Sequence, residues 1–312
     1  MPTTTTVTTT YVGFDQKKYV QASVLSGSTL ANGLVTVLPN VNFKTRLGLF
    51  GGSGAIQDAS CDFNPQGTIT LSDVILTVKE FELARKVCKK DFLSTWEGEG
   101  WDINGALPQA VAEQMTLFLG KQVAKNVESY MWEGTNAANS FAGFATLASL
   151  AATLPAAQEV AGAAVTSLNV LAELGKIVDA IPESLIGNPD LAIYVSPVIY
   201  RAYARVLSTS GVGASGVNGN VTQWFSWDSA LTFDGIPVLL ASGLTGSKAI
   251  CTLKSNLFFG TSLESDLSEV RVIDQGPIDG SQNVNVIIRF TAGAQIATYA
   301  DVVTYGIVNA AN

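Results

Sequence analysis

The run from Leu107 to Trp132, LPQAVAEQMTLFLGKQVAKNVESYMW, constrains the fold more than any other stretch, because it keeps a helical period throughout. Val111, Met115, Phe118, Leu119, Val123, Val127, Tyr130 and Met131 recur every three or four residues. Glu113, Thr116, Lys121, Lys125 and Glu128 fall on the opposite side. Pro108 fits a first helical position, where a missing N–H costs nothing, and Gly134 reads as the stop. Such a helix is about 39 Å long. The rest of the chain is broken by Gly, Ser and Thr into short elements, so the fold has to be built against this one strut.

Before it, Pro2 to about Lys44 opens with MPTTTTVTTT and reads as extended and weakly self-supporting, punctuated by Gly27, Gly33 and Pro39. From Arg46 to about Glu82 the pattern is a hairpin. LGLF runs into the turn signal Gly51-Gly52-Ser53-Gly54, a second signal follows at Asn64 to Gly67, and TITLSDVILTVKEFEL carries β-branched residues in partial alternation. A two-stranded ribbon alone is marginal in water, so it needs the body or a neighbouring subunit. Ala84 to Thr95 predicts a short helix with Val87 and Phe92 inward. Glu97, Glu99 and Asp102 could serve acid–base work or a cation, but the intervening glycines read as a solvated loop with nothing to desolvate them.

Beyond the strut the texture changes. Ser167 to Ile181 predicts an amphipathic helix with Leu168, Leu171, Leu174, Ile177 and Val178 on one side, ended by Pro182. LAIYVS is a short buried strand, and Pro197 starts a second helix, VIYRAYARVL. Helix, strand, helix in that order predicts an α/β module. Gly211, Gly213 and Gly216 match the spacing of a dinucleotide fingerprint, yet a helical pattern precedes them where a strand is required. Trp224, Phe225 and Trp227 form an aromatic patch beside that loop, open to either internal packing or a subunit contact. Short strands follow at GIPVLLAS, KAICTLKSNLFFG, EVRVID and NVNVIIRF, and the chain closes on TYADVVTYGIVN.

Composition narrows the function classes. The 312 residues are 47% hydrophobic and only 14% charged, below the usual quarter, so self-association is the natural way to cover so apolar a surface. A net charge of −8 argues against binding nucleic acid through its phosphates. The three cysteines, Cys61, Cys88 and Cys251, suit neither a disulfide framework nor a zinc site. No signal peptide or membrane span is expected. There is no histidine, which removes the Ser-His-Asp and Cys-His mechanisms and the commonest general base.

The order of these pieces resembles the major capsid protein of tailed bacteriophages, the Hong Kong ninety-seven type shell fold also used by encapsulins. The resemblance rests on the arm, the long hairpin, the Pro108–Glu133 helix, the Ser167–Leu207 run, and the stretches Phe233–Ser242, Asn256–Val272 and Phe290–Asn309. It implies an α+β fold: an N-terminal arm (1–45), an extended β-hairpin loop (46–82), a peripheral domain with the long spine helix (83–140 and 266–303), and an α/β axial domain (141–265 and 304–312). It also implies a non-enzymatic shell subunit without cofactor or metal. Sister copies would be its partners, in hexamers and pentamers, together with scaffolding, portal and decoration proteins. Double-stranded DNA would be enclosed rather than specifically bound, and no membrane is involved. The location implied is the virion capsid, assembled in the host bacterial cytoplasm. Assembly contacts are expected at Tyr11 in the arm, at Gly51, Gly52 and Gly54 in the hairpin, at Gly211 and Gly213 in the loop, and at Trp224 and Trp227. An encapsulin-type compartment and a carboxylate-dependent enzyme on an α/β scaffold remain as alternatives. A chain lacking Pro2–Lys44 is expected to stay soluble and assemble poorly.

Overall fold

The long strut forms as the sequence requires. In a computed structural model, which describes residues 28–41, 43–54, 61, 67–88, 90, 109–210, 231–262 and 269–310, the helix spans Gln109–Glu133. Before it come a short helix α1 (Ser28–Ala31) and strands β1 (Thr36–Pro39), β2 (Lys44–Gly54), β3 (Gly67–Thr77) and β4 (Lys79–Cys88), so the strut is α2. After it follow α3 (Phe144–Ser149), β5 (Glu159–Val160), α4 (Val170–Asp179), β6 (Leu191–Val195), α5 (Pro197–Ser210), β7 (Leu231–Phe233) and β8 (Ile236–Leu240). The last elements are β9 (Ala249–Leu253), β10 (Leu257–Thr261), β11 (Glu269–Asp274), α6 (Gly276–Asp279), β12 (Asn283–Ile296) and β13 (Val303–Tyr305).

One sheet is organised on β12, whose residues alternate between fully and partly buried over its length. β4 runs antiparallel along one edge. Ala292 pairs with both Lys79 and Thr261, so β10 lies on the opposite edge, end to end with β11, and β1 pairs parallel outside β10. The apolar face of this sheet, with Val284, Val286, Ile288, Phe290 and Ile296, packs with Val123, Val127, Met131 and Trp132 of α2 and Phe144 of α3. The second sheet runs β5-β13-β9-β6-β8-β7. Its middle strand β6 is buried at every residue. Val170, Leu174 and Ile177 of α4, with Ile199, Ala202 and Tyr203 of α5, complete its core.

Several sequence expectations are corrected. Thr116 and Glu128 of α2 are buried and Phe118 is 62% exposed, because α2 is covered on more than one side and Glu128 has partners elsewhere in the chain. Residues 84–88 form strand, not helix, because the ladder to β12 from Lys79 to Cys88 overrides local propensity; residue 89 and residues 91–95 lie outside the described residues. The helix expected from Ser167 begins at Val170, leaving Leu168 at 97% and Leu171 at 46% exposure while Val170 takes the inward place.

The second half of the supposed arm also departs from expectation. Leu30, Leu34, Val35 and Val41 are buried in the subunit's own cores. The Tyr194 hydroxyl of β6 donates 2.6 Å to the Leu34 carbonyl, fastening this stretch between the two sheets. Apolar residues spaced too irregularly to read as a strand nonetheless fill a gap beside β10.

Candidate assembly surface

β2 and β3 pair residue for residue from Lys44↔Thr77 to Gly54↔Gly67, and among the described residues no third strand joins them. At the usual strand rise the ribbon is about 35 Å long. The glycines read as a turn are strand residues. A Cβ on Gly52 would lie 2.5 Å from the Thr68 carbonyl oxygen, so close strand approach selects glycine there, while one on Gly51 would meet only the Thr70 hydroxyl at 3.0 Å.

Antiparallel register puts directly opposed residues on one face. Arg46/Ile75, Gly48/Asp73, Phe50/Leu71 and Gly52/Ile69 therefore share a face. Ile69 is 88% exposed, Phe50 83%, Leu71 70% and Ile75 46%. Four large apolar side chains stand together on one side of a thin ribbon, in water. The Arg46–Asp73 ion pair beside them spans 3.5 Å between exposed groups and contributes little. The other face carries Leu47, which packs at the ribbon's root on Val41, Leu76 and Val78.

That root is firmly tied. Val78 N–H donates to the Phe43 carbonyl, Val41 N–H to the Thr261 carbonyl at 3.3 Å, and Thr291 Oγ1 to the Val41 carbonyl at 3.0 Å. Leu76 is fully buried although the strand it belongs to is otherwise largely exposed.

The body offers little that resembles a catalytic centre. A cleft of about 430 Å³ lies between α2, β4 and the turn around residues 137–141. Its walls are aromatic: Phe81 lies 5.9 Å from Phe141 and Tyr130 lies 6.2 Å from Phe141. Two of the charged groups that line it, Glu82 and Lys79, have structural partners. Glu82 pairs with Arg289 at 2.8 Å, and the Lys79 ammonium donates to the carbonyls of Asn136 and Ser140. Glu133 caps the end of α2 to the β8–β9 connection. Burial pushes its carboxyl up, but the Lys248 ammonium at 2.7 Å and two hydrogen bonds from Thr245 outweigh that and hold it below its ordinary value. The Lys176 ammonium draws the Glu173 carboxyl down, against burial, with help from the Tyr305 hydroxyl at 2.9 Å. Burial pushes the Cys251 thiol up to about 12, so it stays protonated and inert. Among the described residues no three His, Cys, Asp or Glu side chains are grouped to hold a metal. No helix among them is long and apolar enough to cross a membrane.

This architecture recurs in solved structures over nearly its whole length. The Satellite phage P4 procapsid including size determination (Sid) protein matches with a TM-score of 0.60 at 12% identity, over 94% of this chain and 90% of that one. The capsid of the native GTA particle matches with a TM-score of 0.59 at 12% identity, over 91% of each chain. The capsid of Cyanophage P-SCSP1u matches with a TM-score of 0.57 at 11% identity, over 87% of this chain and 86% of that one. The chain has the fold of a phage major capsid protein. No family model and no curated protein sequence matches it. The capsid fold is therefore carried by backbone arrangement, with side chains almost wholly replaced.

Set on the capsid fold, Gly51, Gly52 and Gly54 lie in the outer half of the ribbon. Tyr11, Gly211, Gly213, Trp224 and Trp227 lie outside the described residues, as do Glu97, Glu99 and Asp102. The apolar face formed by Phe50, Ile69, Leu71 and Ile75 escaped the sequence reading. Its signal was present in the two-residue spacing of Ile69, Leu71, Asp73 and Ile75, but alternation alone does not say whether a face meets its own core or another molecule.

Proposed function

We propose that this protein is the shell-forming subunit of a phage capsid, a structural protein and not an enzyme. Copies associate as hexamers and pentamers into an icosahedral shell around double-stranded DNA. The ribbon of each copy lays its apolar face on a sister copy. The observation that carries this reading is that face: Phe50, Ile69, Leu71 and Ile75 exposed together on a ribbon with no covering element of its own among the described residues. Covering such side chains contributes about 1.5–3 kcal/mol each, enough over many identical contacts to drive association. The net charge of −8 fits a wall that contains DNA without gripping it. Scaffolding, portal and decoration proteins are the further partners such a shell would take, and the virion, assembled in the host bacterial cytoplasm, is its place.

Electron microscopy of the purified protein tests the reading. Uniform closed shells are expected, and a population of small soluble oligomers only would overturn it. The triple variant F50S/I69S/L71S should remain unassembled.

A further inference from the structure

Gly260 of β10 and Gly293 of β12 are direct register partners, so both lack a side chain on the same face of the sheet. The root of the ribbon sits on that bare spot. A Cβ on Gly260 would lie 2.7 Å from Leu76 Cδ2 and 3.1 Å from Val78 Cγ1. A Cβ on Gly293 would lie 2.5 Å from the Thr77 carbonyl oxygen and 3.0 Å from Val78 Cα. Lys79 then drops to the sheet edge and pairs with Ala292. The chain linking β3 to β4 thus crosses the sheet face at the one place where two opposed residues have no side chains. We propose that the Gly260–Gly293 pair is a positioning seat that fixes the direction in which the ribbon leaves the body, and through it the geometry of copy-to-copy contact.

At Gly293 the root's backbone lies too close to admit a Cβ, and at Gly260 a Cβ would press on the Leu76 and Val78 side chains, so a larger residue at either position pushes on the root. Along a lever of about 35 Å, a tilt of about 10° moves the far end by about 6 Å, more than an apolar contact tolerates. The seat is distinct from the ribbon's apolar face, since it touches Leu76, Thr77 and Val78 and none of Phe50, Ile69, Leu71 and Ile75. Its importance for assembly rests on the shell reading above; its effect on the ribbon's direction does not.

The test is a distance. Spin labels are placed at Ser72→Cys on the ribbon and Ser129→Cys on the exposed side of α2, in a chain carrying Cys61→Ser and Cys88→Ser, and their separation is measured in dilute protein by pulsed electron spin resonance. The native seat should give one narrow distance. Gly260→Ala and Gly293→Ala should shift or broaden it while the circular dichroism of the body stays native. The double variant G260A/L76A, which removes the Leu76 atoms that the new methyl meets most closely, should bring the native distance back. An unchanged distance in both single variants overturns the proposal. So does loss of the body's secondary structure in both, because the pair would then serve the sheet and not the ribbon. Micrographs of the same variants should lack regular shells. If the native protein forms none either, the shell reading fails while the distance still decides the seat.

Discussion

Glu128 is a carboxylate that the helical period assigns to solvent and the fold assigns to the interior. Thr29 Oγ1 of α1 and Ser242 Oγ, just past β8, both donate to its Oε1, and Trp132 Nε1 donates 3.0 Å to Thr29 Oγ1. One side chain therefore joins the amino-terminal stretch, the long helix and the second sheet. Hydrogen bonds to a charged group contribute about 1.5–3 kcal/mol each, and removing the acceptor strands the buried Thr29 hydroxyl. Glu128→Ala should lower the unfolding free energy by roughly 3 kcal/mol in urea titrations, and Glu128→Gln, which keeps an acceptor oxygen, by clearly less. Glu133 makes a different prediction. Its folded pKa lies below the ordinary 4.5, so its contribution is full above that value and is lost as pH falls through the folded pKa. The thermal midpoint should therefore drop on acidification between about pH 5 and pH 3, and Lys248→Met should make that drop shallower. Neither role was legible in the sequence, since Thr29 and Ser242 are 99 and 114 residues from Glu128 and no spacing rule spans such gaps.

Elements were more legible than their faces. The strut was readable because eight apolar residues kept one period, and β6 because LAIYV is apolar throughout between a turn and a proline. β4 was not, because Ala84 to Cys88 carries charge on both sides of any alternation and is held in extended form by its pairing to β12. The ribbon was readable as a hairpin, though Gly52 marked close strand approach and not its turn. Its stability should separate from that of the body. Leu76→Ala opens a cavity at the root and should speed amide exchange through residues 44–54 and 67–77 while α2 stays protected, measured by exchange mass spectrometry. The serine triple on the outer face replaces side chains that are mostly exposed, so its melting temperature should match the native chain to within the small change usual for surface substitutions.

At the scale of the whole molecule, the two sheets are held together by residues that the sequence placed in an arm. Deleting 28–41 would take β1 and the buried Leu30, Leu34, Val35 and Val41 out of the fold. Calorimetry should find a truncation that reaches residue 41 several degrees less stable than the full chain. Removing Pro2–Lys44, expected to leave a soluble subunit that assembles poorly, therefore also damages the core. The sheet around β12 has a further consequence for synthesis. Its strands come from residues 36–39, 79–88, 257–261, 269–274 and 283–296, so β4 waits nearly two hundred residues for its partner. On the ribosome the ribbon emerges early but has nothing to stand on until β12 has been made. A polypeptide released before that strand lacks the footing on which its ribbon would rest.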